Sequence, residues 1–429
     1  MKDPLILDQT FQEVLHQLEH TRDHYFITGR AGTGKSTLLQ VYRKTTRKKV
    51  VVLSPTGISA LNVQGQTIHS FFQLAPKLLT RMDVHINKRI ARLLNSLEVI
   101  IIDEISMVRS DVLDAVDLSL KIHRKNAEPF GGVQMLFFGD LFQLPPVLST
   151  AEEKEYFRTY YTSQYFFNAH CLMHVGNLQM IELTKVYRQR ERHFIRLLDE
   201  VRNATSDFEV LDELNERYLP EAVIEEPFLT LCSTNAATQK INADRLAEIH
   251  HPSFFYSGEV TGNFSEKLFP TDYKIELRQD AQVMLLRNDP EKRFVNGTLA
   301  VIQELSEDSV IVKTEKEPGK FEIFELPKMI WEIHKYTFET GDDPIKSEVT
   351  GSFKHYPLKL AWAVTIHKSQ GQTYDRVAID LGRGAFEHGQ AYVALSRCRT
   401  LSGLYLRKPL RPSDIMVDER IVEFYEMMR

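Results

Sequence analysis

The chain has little cysteine, no long apolar run and no excess of positive charge. Each shortage removes a class of protein. Only Cys171, Cys232 and Cys398 occur in 429 residues, far apart and odd in number. That excludes a disulfide framework and a cysteine-rich zinc module, and fits buried thiols in a reducing compartment. No apolar stretch reaches the roughly 18 residues that a membrane helix needs. The opening residues, MKDPLILDQTFQ, lack the basic and then apolar pattern of a secretory signal. The expected location is therefore cytoplasmic. Repeats and low-complexity tracts are absent, which excludes a solenoid. Lys and Arg total 53 against 58 Asp and Glu, a net charge of −5. A passive basic coat for nucleic acid has a pI above about 9, whereas this chain has 6.3.

What is present is an α/β rhythm. HYFITG (24–29), KVVVLSPTG (49–57), VIIIDE (99–104) and VQMLFFGD (133–140) are short Val-, Ile- and Phe-rich runs separated by helical patterns. Such runs read as buried parallel strands. The rhythm restarts at FLTLCSTN (228–235) and resumes at LAWAVTIH (360–367), RVAIDL (376–381) and GLYL (403–406). Between them the pattern changes to β-like alternation, with a hairpin signal at Asn296-Gly297. The expected organisation is a first α/β domain over 1–63 and 93–180 with a small insertion at 64–92. A second spans 181–285 and 357–429, interrupted by a small β barrel at 286–356.

The chemistry sits at strand ends. GRAGTGKST (29–37) follows a strand and opens a helix, the context of a phosphate-binding loop. Gly29, Gly32 and Gly34 let backbone N–H groups approach phosphates. Ala31, Thr33 and Thr37 complete the expected nucleotide cradle. Lys35 neutralises the β- and γ-phosphates, and Ser36 holds Mg²⁺. Asp103 and Glu104 end a strand, Asp103 as a second magnesium contact and Glu104 to activate the attacking water. Gln143 in GDLFQLPPV (139–147) is placed to sense the γ-phosphate. A lone phosphate loop says only that a nucleotide binds, so the far downstream blocks AWAVTIHKSQGQT (361–373) and YVALSRCR (392–399) carry more. They suggest a second domain reaching back to the nucleotide, with Gly371 beside it. Arg188 in LTKVYRQRER (183–192) and Arg397 are the expected arginine fingers.

Another set fits a polyanion. Ser54, Thr56 and Gly57 in SPTGISALN offer hydroxyl and backbone donors suited to phosphodiesters. His69, Phe71 and Phe72 in TIHSFF have the ingredients of a base-stacking platform, with buried core as the alternative for the two phenylalanines. His367, Lys368 and Ser369 are expected to grip the strand from the second domain. Of two basic clusters, 43–49 reads as a solvated helix face. The cluster at 185–192 lies between the two domains.

At this point the motifs resemble a family. GRAGTGKS, SPTGISALN, IIIDEISMV, GDLFQLPPV, VYRQ, TIHKSQGQT and YVALSRCR stand in the order found in the PIF-one helicases, RecD-like members of helicase superfamily one, subgroup B. Residues 111–136 look like the family's signature segment. The resemblance covers about 24–400. It implies two RecA-like domains, a wedge at 64–92 and a Src-homology-three-like barrel at 286–356. It implies an ATP- and Mg²⁺-dependent DNA helicase that moves 5′→3′ on single-stranded DNA and opens 5′-tailed duplexes, G-quadruplexes or R-loops. Roles in DNA repair, recombination, replication and telomere maintenance go with it, as does a monomeric free state. Gln12, or else Gln9, stands where the family contacts adenine. Gln64 and Ala300 stand where many members have glycine. Two other readings remain: a DNA-stimulated ATPase or clamp that does not unwind, and RNA as the main track. A metabolic kinase fails to explain SPTG, HKSQGQT and Arg397.

Overall fold

The computed structural model describes residues 9–429 except 149, 177, 190, 220–227, 318 and 339–344. The chain opens with helix α1 (Gln9–His20) and then builds a parallel sheet. Its strands are β1 (His24–Gly29), β2 (Val50–Ser54), β3 (Gln66–Thr67), β4 (Val99–Ile102), β5 (Gln134–Phe138) and β6 (Leu178–Leu183). Their order is β3-β2-β4-β5-β1-β6, with all neighbours parallel. Helices α2 (Lys35–Thr45), α3 (Gly57–Asn62), α4 (Ile68–Phe72), α5 (Lys88–Ser96) and α6 (Ser110–Arg124) lie between these strands. Strands β1, β4 and β5 are buried at every position. Continuous burial explains their unbroken apolar runs.

One buried polar group of this sheet links pH to stability. His24 is 6% exposed, and its Nδ1 accepts the Met135 N–H at 3.0 Å. Burial pushes its pKa down to about 4, against a smaller opposing effect of Asp23. The unfolded chain takes up a proton near pH 6.5, and the folded chain does so only near pH 4. Stability is therefore full above pH 6.5 and falls as pH drops toward 4, by about 2–3 kcal/mol. Urea unfolding of wild type and His24→Gln between pH 4 and 7.5 checks this. The variant should show the shallower loss; identical slopes would reject it.

A second parallel sheet begins with β7 (Leu229–Cys232). The chain then leaves it for an antiparallel region: β8 (Phe254–Ser257), β9 (Glu259–Gly262), β10 (Lys274–Leu277), β11 (Gln282–Leu285), β12 (Leu299–Leu305), β13 (Val310–Glu317), β14 (Lys320–Glu325), β15 (Met329–Phe338), β16 (Ile345–His355) and β17 (Leu358–Leu360). It returns through β18 (Ala363–Thr365), β19 (Val377–Asp380) and β20 (Leu404–Leu406), giving the order β18-β7-β19-β20. The antiparallel strands form a five-stranded sheet, β14-β13-β12-β11-β17, a three-stranded sheet, β15-β16-β9, and the β8–β10 pair.

The antiparallel region thus starts at Phe254, ahead of the boundary expected at 286. At the first sheet, Gln66–Thr67 and Ile181–Leu183 pair within it, although the sequence placed them in the wedge and in the second domain. The long hairpin β15–β16 leans back on the first domain. The Val52 N–H donates to the Tyr336 hydroxyl at 3.2 Å, and the Tyr336 N–H donates to Gln66 Oε1 at 3.3 Å. The last helix, Glu419–Met428, also packs on the first sheet rather than the second. Phe424 and Tyr425 meet Phe26, and the Tyr425 and Thr28 hydroxyls share a 2.5 Å hydrogen bond.

Two family departures have structural accounts. Gln64 holds a left-handed φ of +49, the conformation that favours glycine. Arg43 steadies that turn by donating to the carbonyls of Val63 (2.5 Å) and Gln64 (3.1 Å). Ala300 pairs with Val283 and Thr314 inside β12, where alanine is unstrained.

Candidate active site

Loops leave the C-terminal ends of β1, β2, β4 and β5 side by side, the edge where ligands bind in such sheets. The loop after β1 reaches α2, whose first residues are Lys35 and Ser36. Gly32 has a φ of +83, and a side chain there would meet Arg188 Cβ at 2.4 Å. The Tyr187 N–H donates to the Gly32 carbonyl at 2.9 Å, so the 183–189 segment lies directly on this loop. Lys35 Nζ donates to the carbonyls of Gly29 (2.6 Å) and Arg30 (3.1 Å). Burial pushes its pKa down, opposed by Asp140 and Glu104. Phosphate oxygens would take over from those two carbonyls.

Across from the loop stand Asp103 and Glu104. Glu104 has a left-handed φ of +53. A non-glycine residue held there stores about 1–3 kcal/mol of strain, a feature that clusters at functional sites. Burial raises both carboxyls, and their mutual repulsion adds to the rise of Asp103, while Lys35 and Arg397 pull Glu104 back. Asp140 is 1% exposed and accepts from Arg202 Nη2 at 2.9 Å and from Gln143 Nε2 at 3.3 Å. Burial alone would raise its carboxyl; Arg202 and Lys35 outweigh that and hold it low.

The far wall comes from the segment that follows β6 and from the chain that follows the helix Gln390–Leu395. Arg397 is 1% exposed, and its guanidinium donates to the Val393 carbonyl (2.9 Å) and to Ser396 Oγ (2.8 Å). Arg188 donates to the carbonyls of Ser396 and Gly371, both at 3.4 Å. Burial and mutual repulsion lower Arg188 to about 9, and burial lowers Arg397. Their hydrogen-bond partners here are neutral oxygens. Two such cations facing a phosphate loop form a receptor for an anion.

These parts enclose one cleft of about 780 Å³. It gathers Ala31–Thr37, Asp103, Glu104, Gln143, Arg188, Gly371 and Arg397. Gly29 stays outside its wall, serving as an acceptor for Lys35. Gln12 is also outside, exposed on α1 beside Phe11, whose ring meets Gly34 and Tyr187. The sequence reading missed Thr373, Arg399, Thr400 and Tyr187 in the wall, and Arg202 behind it. Their signal was weak, since single polar residues in loops and helices are ordinary.

The expected nucleic-acid residues are less uniform. Thr56 caps α3 by accepting from the Ser59 N–H. A Cβ on Gly57 would come within 2.0 Å of Leu268, from the antiparallel region. Four expectations need correction. Phe71 and Phe72 are 3% and 4% exposed, packed edge-to-face with each other and, for Phe71, against Tyr336. Their faces belong to the core, so no base stacks on them here. Ser54 is fully buried with its hydroxyl unpaired, and Ser369 is fully buried with its hydroxyl given to the Ile366 carbonyl at 2.7 Å. Neither hydroxyl reaches a phosphodiester in this arrangement. His69 is half-buried, with its pKa lowered by burial and Arg109. His367 pairs with Glu387 at 3.2 Å, and Lys368 is exposed. In the first basic cluster, Arg43 and Lys48 are structural, Lys48 donating to Leu18, Thr21 and Gln134. Arg190 lies outside the described residues.

Comparison with known proteins decides the family. A model of PIF1-like helicases matches residues 6–211. The ATP-dependent DNA helicase Pif1 of Bdellovibrio bacteriovorus is 32% identical over 416 residues, covering 94% of this chain and 88% of that protein. The chain belongs to the PIF1-like helicases. Among solved PIF1-like helicases, unliganded Pif1 from a Bacteroides species superposes with a TM-score of 0.89 at 36% identity, over 99% of this chain and 97% of that one. Bacteroides Pif1 bound to single-stranded DNA, at the same identity and coverage, superposes at 0.71. The cleft described above is thus the nucleotide-site candidate of a PIF1-like helicase, and the chain as a whole superposes better on the unliganded Bacteroides structure than on the one bound to single-stranded DNA.

Proposed function

We propose that the chain is an ATP-dependent helicase that translocates 5′→3′ along single-stranded DNA and opens 5′-tailed duplexes. One observation carries the reading: a phosphate loop on one domain faces Arg188 and Arg397 at the other domain across a single cleft. Lys35 binds the β- and γ-phosphates, Glu104 orients and deprotonates the attacking water, and Gln143 registers the γ-phosphate. Arg188 and Arg397 meet the charge that develops on that phosphate, so the cleft closes when ATP is bound. Ser36 and Asp103 offer the hard oxygen donors that suit Mg²⁺. Among the described residues no cluster of three His, Cys, Asp or Glu side chains would hold a metal alone. The ion would therefore be shared with phosphate oxygens, whose negative charge it neutralises. Thr56, Gly57, His367 and Lys368 are the DNA contacts proposed here, with Gly57 reached once Leu268 moves aside.

Phosphate release with single-stranded DNA, with RNA of the same sequence and with neither tests the reading. A 5′-tailed duplex assay runs alongside. DNA-stimulated turnover with strand separation is expected. Stimulation without strand separation would favour the clamp, and stronger stimulation by RNA would change the track. G-quadruplex opening, a monomeric free state and a cytosolic or nucleoid setting complete the proposal. None of the described helices is long and apolar enough to cross a membrane.

A further inference from the structure

Arg202 lies on α7 (Arg192–Asn203), a helix whose other buried residues are apolar, and no motif includes it. Its side chain is 5% exposed, and it spans the domain boundary. Nη2 donates to Asp140 Oδ1 at 2.9 Å, and the guanidinium lies 4.0 Å over the Phe142 ring. Nε is buried with no partner. The other oxygen of Asp140 receives Gln143 Nε2 at 3.3 Å and the Tyr392 hydroxyl at 3.5 Å. That hydroxyl in turn accepts the Ala31 N–H of the phosphate loop at 3.0 Å.

These contacts form one connected unit. Asp140 and Gln143 follow β5, Ala31 belongs to the phosphate loop, and Tyr392 sits in the helix Gln390–Leu395 that precedes Arg397. The Phe142 N–H also donates to Oδ1, at 3.3 Å, so the buried carboxylate has one cationic partner and three weaker donors, and the cation contributes most to holding its orientation. Gln143 takes its place from this carboxylate. The second domain therefore has a grip on the γ-phosphate side of the cleft that is separate from both arginine fingers.

We propose that Arg202 is a positioning residue: through Asp140 it holds Gln143 and Tyr392 in their working places, so that motion of the second domain sets the competence of the hydrolysis site. The proposal rests on the nucleotide-site reading above. Arg202 itself touches neither nucleotide nor DNA. Its loss should therefore change turnover and γ-phosphate sensing, and leave binding of the rest of the nucleotide intact.

The test uses the full chain carrying Arg202→Gln, with Arg202→Lys as the conservative variant. Misplacement of a group by about 1 Å costs on the order of 10²-fold in rate, so Arg202→Gln should lower DNA-stimulated kcat by roughly 10- to 100-fold. KM for ATP and affinity for ADP should stay near wild type, while the preference for a non-hydrolysable ATP analogue over ADP shrinks. Arg202→Lys keeps the charge without the fork and should recover part of kcat. Wild-type kcat in Arg202→Gln would overturn the proposal, and so would parallel losses of kcat, ADP affinity and single-stranded DNA affinity. If Arg202→Gln does not fold, Arg202→Lys decides by the same split: reduced kcat at unchanged KM supports the role, and unchanged kcat rejects it. Lys35→Ala is measured beside them. Retained turnover in that control would reject the site reading itself, an outcome distinct from failure of the Arg202 proposal.

Discussion

Arg397→Ala should lower the DNA-stimulated turnover number for ATP about 10³- to 10⁵-fold, the range over which an arginine finger acts in phosphoryl transfer. Affinity for ADP should change little, because ADP lacks the phosphate that the guanidinium meets. The residue is fully enclosed, yet its partners are the Val393 and Gln372 carbonyls and the Ser396 hydroxyl. An arginine kept among neutral acceptors, whose pKa burial pushes down and whose charge in turn lowers that of Arg188, is stabilised when an anion enters. Arg397→Lys keeps a charge but not the planar fork and should recover little. Phosphate-release kinetics with saturating single-stranded DNA, together with a fluorescent ADP titration, read both quantities. Near-normal turnover in either variant would remove Arg397 from the chemistry.

Glu104→Gln should cost about 10²- to 10⁴-fold in turnover while ATP still binds, the effect of removing a general base without changing its shape. It should also make the protein more resistant to heat. The carboxylate is buried in the wall of the cleft, and burial and the charge of Asp140 both disfavour its ionisation. A neutral amide relieves that conflict, so activity and stability should move in opposite directions. A thermal melt in the absence of nucleotide, set beside the rate, checks the pair of effects. A lower melting temperature, or retained turnover, would sink the assignment.

Residues whose chemistry is local were legible in the sequence. The phosphate loop and the Asp103–Glu104 pair each combine a strand, a turn and a helix within a few positions, and the structure brings both into one cleft with Arg188 and Arg397. The nucleic-acid residues depended on distant chain. Phe71 and Phe72 look like a platform until Tyr336 arrives from the far hairpin and buries Phe71. Ser54 and Ser369 sit in polar motifs, but polarity does not tell which way a hydroxyl points. The early start of the antiparallel region escaped notice because β9 is exposed at all four positions, leaving no alternation to read. Arg202 carried no local signal, since only the carboxylate of Asp140 distinguishes it from an ordinary helix-surface arginine. Gln64 was visible as a departure from glycine, and its left-handed backbone gives that departure a physical meaning.

The last helix changes the mechanics of the two lobes. The chain departs from the first sheet after Leu183 and comes back to it at Phe424 and Tyr425, so beside the Tyr336 contact of the inserted hairpin the second sheet itself hangs from two tethers instead of one. A body on a single flexible strand turns about three axes. Pinned at two separated points, it turns freely only about the line joining them, like a door on two hinges. The closure over a nucleotide proposed above would then follow one arc, and each swing would displace the far edge of the lobe in the same direction.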